Sequence, residues 1–175
     1  MTIRDVLQLG NPLLRKVAET VEDPASPDVA AVLTDLAETL AFWRATTYGR
    51  GIAAPQIGVL KRVIFMQIDR PWSLINPVIT ARSPETIVVW DACLSFLCIF
   101  FQVTRHAWIT VTYQDTTGAW HGLRAEGDLA ELLQHEIDHL DGILAVDRMT
   151  DARTICTREE FERRYRHDSS YVHAR

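Results

Sequence analysis

The chain is short of the features that mark secreted, membrane-spanning and nucleic-acid-binding proteins. It carries three cysteines in 175 residues, an odd number with no regular spacing, so no disulfide framework is expected. No apolar run approaches the roughly 20 residues that a spanning helix needs; the most apolar stretch, Leu94 to Phe101, is far too short. The opening MTIRDVLQLG has no basic region followed by an apolar one, so no secretory signal is expected. Basic charge is scarce as well, with 18 Lys and Arg against 23 Asp and Glu and a net charge of −5. No basic stripe is therefore available to meet phosphates, which argues against a specific nucleic-acid partner. Internal repeats and low-complexity tracts are absent. These absences lead to the expectation of a cytoplasmic protein with no membrane partner. A reducing cytosol would also keep a thiolate free for metal.

Hydrophobic residues make up 47% of the chain, enough for a packed core, and the length favours one domain over residues 1–175. Ser26-Pro27-Asp28 reads as a helix start, with Ser as N-cap and Pro at the first helical position. Val29, Val32, Leu33, Leu36, Leu40 and Trp43 then recur at helical spacing, and Gly49 is the expected stop. Strands are expected over Arg62 to Ile68 and Leu74 to Thr80. Ala107 to Gln114 alternates, Asp115 to Gly118 signals a turn, and Ala119 to Arg124 returns as the hairpin partner. A second helix is expected from about Asp128 to Leu140, with Gly142 as its cap, and a third over about 158–166. Helices flanking a group of strands indicate an α+β fold.

The strongest chemical signal is His135-Glu136-Ile137-Asp138-His139. Histidines at i and i+4 project two imidazoles from one helix face, so both can reach one metal ion. Glu136 points about 100° away from His135 around the helix, still close enough to serve a water on that metal as general base. A hydrolytic site of this kind needs a third protein ligand and one open position. The chain continues LDGILAVDRM, which has no further His. Cys93, in Asp91-Ala92-Cys93-Leu94-Ser95 at the end of a strand-like run, is the alternative; taken alone, it could equally be a small buried hydrophobe.

Three segments resemble, in order, the signature motifs of the peptide deformylase family. Gly49-Arg50-Gly51-Ile52-Ala53-Ala54-Pro55-Gln56 resembles the first. Asp91-Ala92-Cys93-Leu94-Ser95 is similar to the second, and Gln134-His135-Glu136-Ile137-Asp138-His139 matches the third in full. The likeness extends to Gly10-Asn11-Pro12-Leu13-Leu14-Arg15, to Leu74-Ile75-Asn76-Pro77 and through Asp147-Arg148, and so covers nearly the whole chain.

The resemblance implies antiparallel sheets packed around a central helix that carries HEIDH. It implies an enzyme that removes the N-formyl group of N-formylmethionyl peptides in protein biosynthesis, with a transient ribosome contact. By position, Cys93, His135 and His139 become the ligands of one divalent ion. Fe2+ is the implied native metal, and Zn2+, Ni2+ or Co2+ can take the same place. Glu136 becomes the acid/base, and Gln56 and the Leu94 N–H become stabilisers of the developing oxyanion. Gly49 and Gly51 fit a loop that substrate backbone approaches closely, or else a helix cap and a tight turn. With Ala92, they are expected beside the substrate.

Several positions depart from the family pattern. Asp91 and Ala92 replace Glu and Gly. Arg105 is a candidate partner of Asp91 or Asp138 behind the ligands, or else a surface arginine. The usual Pro and Gly after the cysteine motif give way to Phe96-Leu97-Cys98-Ile99-Phe100-Phe101, either a buried strand or an apolar wall beside the site. Cys98 and Cys156 match no motif position and are taken as ordinary thiols. In the family the pocket for the methionine side chain is apolar, whereas here Arg50, Asp128 and Glu131 fall at its expected positions. Two readings stand beside each other. The three charges surround a pocket for a polar or charged N-formyl or N-acyl substrate, or Asp128 caps the helix with Glu131 as its N3 partner while Arg50 reaches solvent or pairs with Glu131. A non-catalytic ribosome- or protein-binding relic is the alternative from another class. A relic should have lost a ligand or Glu136, and this chain retains them all.

Overall fold

The computed structural model describes residues 3–45, 47 and 49–168. Its first helix, α1, spans Pro27–Arg44, and the Ser26 side chain accepts a hydrogen bond from the Val29 N–H as N-cap. The helix closes earlier than expected. Its C-cap is Ala45, and Gly49 lies beyond the end with no left-handed φ to mark a glycine stop.

Among the described residues, eight strands follow the α1 segment: β1 Gly51–Ala53, β2 Val63–Gln67, β3 Pro71–Arg82, β4 Thr86–Asp91, β5 Ile99–His106, β6 Trp108–Gln114, β7 Trp120–Glu126 and β8 Cys156–Thr157. They form a five-stranded sheet ordered β1-β2-β3-β6-β7 and a three-stranded sheet ordered β4-β5-β8, with every pairing antiparallel. Between β7 and β8 lies α2, Gly127–Leu140; α3, Arg158–Arg164, comes after β8 and is slightly shorter than the expected 158–166. The α+β class is as expected, with sheets packed around α2.

β2 explains how two helices share one sheet. Its side chains alternate: Val63 and Phe65 join the core beneath α1, with Leu33, Leu36 and Leu40. Ile64 and Met66 join the core beneath α2, with Leu133, Ile137 and Leu140. A strand covered on both faces reads as an unbroken apolar run, as Val63-Ile64-Phe65-Met66 does. Complete burial of each such side chain contributes roughly 1.5–3 kcal/mol, so the two cores hold α1 and α2 in fixed relation to β1 and β2. Every α2 residue from Ala130 to Leu140 is buried. Its apolar positions face the sheet core, and its buried polar ones find partners on other elements, Glu131 with Arg50, His135 with Asp91 and Asp138 with Arg105.

The start of α2 differs from the expected one. Asp128 is not its N-cap. Gly127, at φ +55°, makes the corner out of β7, the N-cap is Glu126 without a side-chain cap bond, and Asp128 lies exposed in the first turn. There its charge favours the helix dipole without capping anything, so the proposed capping box with Glu131 does not form. At the other end Gly142, at φ +72°, follows the C-cap Asp141 as expected; a β-carbon there would lie 2.6 Å from the Arg15 carbonyl oxygen.

The segment 96–101 is also only partly a strand. Residues 94–96 form a short 3-10 turn, Leu97 and Cys98 form a bend that exposes Cys98, and β5 begins at Ile99. Phe100 stacks on Phe161 of α3 with ring centroids 4.1 Å apart, which fixes this corner against the C-terminal helix. Cys156, in β8, is half-buried.

Candidate metal centre

Two elements distant in the chain converge. β4 delivers Asp91 at its last residue and Cys93 just beyond it, and α2 presents His135, Glu136, Asp138 and His139. One potential ligand atom from each of Cys93, His135 and His139 lies within 4.8 Å of the others, and all three residues are buried. Cys93 Sγ is 3.2 Å from His139 Nε2. Around one tetrahedral ion, sulfur and nitrogen sit about 3.6 Å apart by their usual bond lengths, so the donor set and its spacing suit a single divalent ion. Gln56 Nε2 and the Ser95 N–H both donate to Cys93 Sγ, at 3.3 and 3.4 Å.

Behind the histidines lies a buried charge network. His135 Nδ1 lies 2.8 Å from Asp91 Oδ1, which leaves Nε2 as the ring nitrogen free for a ligand role. Burial opposes a proton on the His135 ring, yet the Asp91 charge outweighs it and raises the ring's affinity for a proton well above the ordinary range. His139 is shifted the other way, by burial and then by the His135 charge. Arg105, 3% exposed, bridges the acids: its Nη2 donates to Asp91 Oδ2 at 3.0 Å and its Nη1 donates to Asp138 Oδ2. Arg148 adds two donations to Asp138, from Nη2 at 2.7 Å and Nε at 3.1 Å. Arg105 therefore pairs with both candidate partners and is no surface residue. Burial disfavours the Asp91 charge, and His135 and Arg105 more than restore it, so its carboxyl is held well below the usual range.

Glu136 is 3% exposed, and its Oε2 is buried with no hydrogen-bond partner among the described residues. Burial pushes its carboxyl up to about 7. Its other oxygen lies over β1, where a β-carbon at Gly51 would come within 2.6 Å. The close approach at Gly51 is thus made by Glu136, and Gly51 belongs to a strand rather than a tight turn. Gln56 is fixed by the Ala53 N–H, which donates to its Oε1 at 2.9 Å; its Nε2 also reaches Ser95 Oγ at 3.2 Å. Leu94 opens the 3-10 turn after Cys93, where a first-turn N–H has no partner within its own turn.

A cavity of about 50 Å³ opens beside these groups. Gly49, Arg50, Gly51, Gln56, Ala92, Cys93, Leu94, Glu131, His135 and Glu136, all expected at the site, line it. Asp128 does not: it is exposed on the first turn of α2, so the expected trio of pocket charges reduces to a pair. Arg50 Nη2 donates to Glu131 Oε2 at 2.6 Å, with side chains 10% and 3% exposed. Leu97 and Phe100 also line the cavity, which supports the wall reading of that segment. Ser95, Leu132 and Arg158 were not anticipated. Ser95 stood inside the cysteine motif and could have been found there, whereas nothing near Arg158 signals that α3 brings it to this cavity.

A buried cysteine and two histidines around one point, with a carboxyl alongside and an open cavity, belong to the metal-dependent hydrolase class. A family model described as polypeptide deformylase matches residues 3–154. The peptide deformylase of Thermotoga maritima is 36% identical over 152 residues, covering 86% of this chain and 90% of that protein. That of Rhizobium meliloti is 39% identical over 153 residues, covering 84% and 85%. The crystal structure of the Thermotoga maritima enzyme superposes with a TM-score of 0.81 at 35% identity, over 86% of this chain and 100% of that one. A peptide deformylase from Synechococcus elongatus in complex with actinonin also gives 0.81, at 32% identity, over 86% and 81%. The chain belongs to the polypeptide deformylase family.

Proposed function

We propose that the chain hydrolyses the N-formyl group of a formylated peptide and releases formate, with one divalent ion held by Cys93, His135 and His139. The single observation that carries this reading is the convergence of those three ligand atoms within 4.8 Å, in a buried site that opens to the cavity beside Glu136. Fe2+ suits the mixed sulfur and nitrogen set as the native ion, and Zn2+, Ni2+ and Co2+ suit it as replacements. When bound, the metal supplies the Lewis acidity that activates water and polarises the formyl carbonyl.

The chain's own groups do the rest. Glu136 accepts the proton of the attacking water and returns it to the amine nitrogen as the C–N bond breaks. A carboxyl brought towards neutral pH by burial suits both halves of that transfer. The Leu94 N–H, and Gln56 Nε2 on giving up its bond to Ser95 Oγ, donate to the oxygen that gains charge. Gly51 keeps room for Glu136 on β1. Asp91, held by Arg105, orients His135, and Asp138 joins the same network through Arg105 and Arg148. The reading includes a cytoplasmic location and a transient contact with the ribosome, where formylated chains emerge. No helix among the described residues is long and apolar enough to cross a membrane.

The test is formate release from a set of formyl-tripeptides by iron- or nickel-loaded protein. Release should stop on chelation and return when the metal is restored. Absence of release from every formyl-peptide by fully loaded protein would reject the reading.

A further inference from the structure

The turn after Cys93 carries two parts of the proposed site. Its first N–H, that of Leu94, is the oxyanion donor, and Leu97 and Phe100 line the cavity. Residues 94–99 contain neither proline nor glycine. No restricted residue therefore sets the bend, and its position depends on what holds it from outside. The N-terminal segment holds one end: Gln8 Nε2 donates to the Leu94 carbonyl at 3.1 Å, and the Leu9 N–H donates to the Ser95 carbonyl at 2.8 Å.

The other end is held by residues outside the family match, which stops at 154. β8 pairs with the start of β5, with Thr157 opposite Ile99 and Cys156 opposite Phe100. The Arg158 N–H then donates to the Cys98 carbonyl at 3.1 Å. Phe161, fully buried, lays its ring flat on Phe100, with 4.1 Å between centroids and 10° between planes, and the Trp90 ring meets Phe161 at 5.4 Å. A close-packed interior leaves little void to absorb a shift, so the place of Phe161 is passed on to Phe100.

Resting on the deformylation reading, we infer that Phe161 and the backbone N–H of Arg158 are positioning groups for the reaction. They fix Phe100 and Cys98, and through them the 94–98 turn that aims the Leu94 N–H at the formyl oxygen. The C-terminal segment thereby sets the geometry of a site whose reacting groups all lie before residue 140.

The experiment isolates the backbone bond first. Arg158 is the first residue of α3, after the N-cap Thr157 at φ −72° and ψ 159°. Proline suits that place in a helix, and Thr157 already has the extended backbone needed before a proline. Arg158→Pro removes the N–H that reaches Cys98, and Arg158→Ala, which lacks the same side chain but keeps the N–H, is its reference. The substrate is whichever formyl-tripeptide, of those with Met, Gln, Glu or Lys at the first position, the nickel-loaded wild-type protein cleaves fastest. Per bound metal, kcat of the Pro variant should fall about ten-fold or more below that of the Ala variant. The loss should be larger in kcat than in KM, because the Leu94 N–H acts on charge that develops in the transition state. Phe161→Ala should lose kcat in the same way against wild type, and Phe161→Leu, which keeps most of the buried volume, should recover most of the loss. A role in folding alone would lower the unfolding midpoints and leave kcat per bound metal unchanged. Equal kcat in the Pro and Ala variants, wild-type kcat in Phe161→Ala, or a loss confined to KM overturns this inference alone; if Arg158→Pro does not fold, the Phe161 pair decides by the same criteria. Release of formate from none of the four peptides by wild-type protein overturns the deformylation reading, and this inference with it.

Discussion

Gly51 and Glu136 share one small space: a β-carbon at position 51 would lie 2.6 Å from Glu136 Oε1 and 2.9 Å from its Cδ. β1 passes under the carboxyl so closely that only hydrogen fits between them. Gly51→Ala should therefore displace Glu136 while leaving Cys93, His135 and His139 untouched. Misplacing a reacting group by about 1 Å can cost on the order of 100-fold. Formate release should fall by about that factor, with metal content unchanged and KM little altered. Full activity in this variant would show that the carboxyl has room to spare.

Glu136→Gln keeps the size of the side chain and removes the base. Turnover should fall by about 10²–10⁴-fold, with one metal still bound per chain. Near-normal turnover would remove Glu136 from the proton transfer.

Arg105 is the cation shared by two buried acids, Asp91 and Asp138. Removing one partner of such a group leaves uncompensated charge and costs about 3–5 kcal/mol. Arg105→Met should lower the unfolding free energy by that order, read from the denaturant midpoint of metal-loaded protein. Because Asp91 then holds His135 less firmly, metal affinity should also fall by about 10–100-fold in a chelator competition. Unchanged metal affinity with lowered stability would confine Arg105 to folding.

Asn76 has a left-handed φ of +52° and is 6% exposed. Its Oδ1 accepts from the Val21 N–H at 2.8 Å, and its Nδ2 donates to Val21 O and to Gln114 Oε1, both at 2.8 Å. Asn76→Ala would strain the backbone by about 1–2 kcal/mol and strand buried polar groups at about 1–3 kcal/mol. A loss of about 2–5 kcal/mol is expected in denaturant unfolding, and Asn76→Gly should recover only the strain part. Equal stability of the Ala and Gly variants would show that the hydrogen bonds alone matter.

The parts of the site that lie on one element were legible in the chain. The helical spacing of His135 and His139 is local, and so is the placement of Glu136 between them. Cys93 was legible only through its motif, because it comes from the end of β4, and nothing in residue spacing says that β4 ends against α2. The Arg50–Glu131 pairing stood among several readings, since burial decides whether two charges meet. Asp128 misled because Gly127 turns the chain so sharply that the helix starts one residue early. Three-residue β1 shows no alternation to find, and the bend at Leu97–Cys98 interrupts what reads as one apolar strand. Arg158 reaches the cavity from α3, which folds back by packing Phe161 on Phe100, a long-range contact with no local signature.

The central claim is that Cys93, His135 and His139 together hold one divalent ion, and X-ray absorption at the metal edge of zinc-loaded protein tests it most directly. The account predicts one zinc per chain with one sulfur neighbour at about 2.3 Å and two imidazole nitrogens at about 2.0–2.1 Å, the sulfur contribution vanishing in Cys93→Ser. A first shell without sulfur in the wild-type protein, or an unchanged shell in Cys93→Ser, would contradict it.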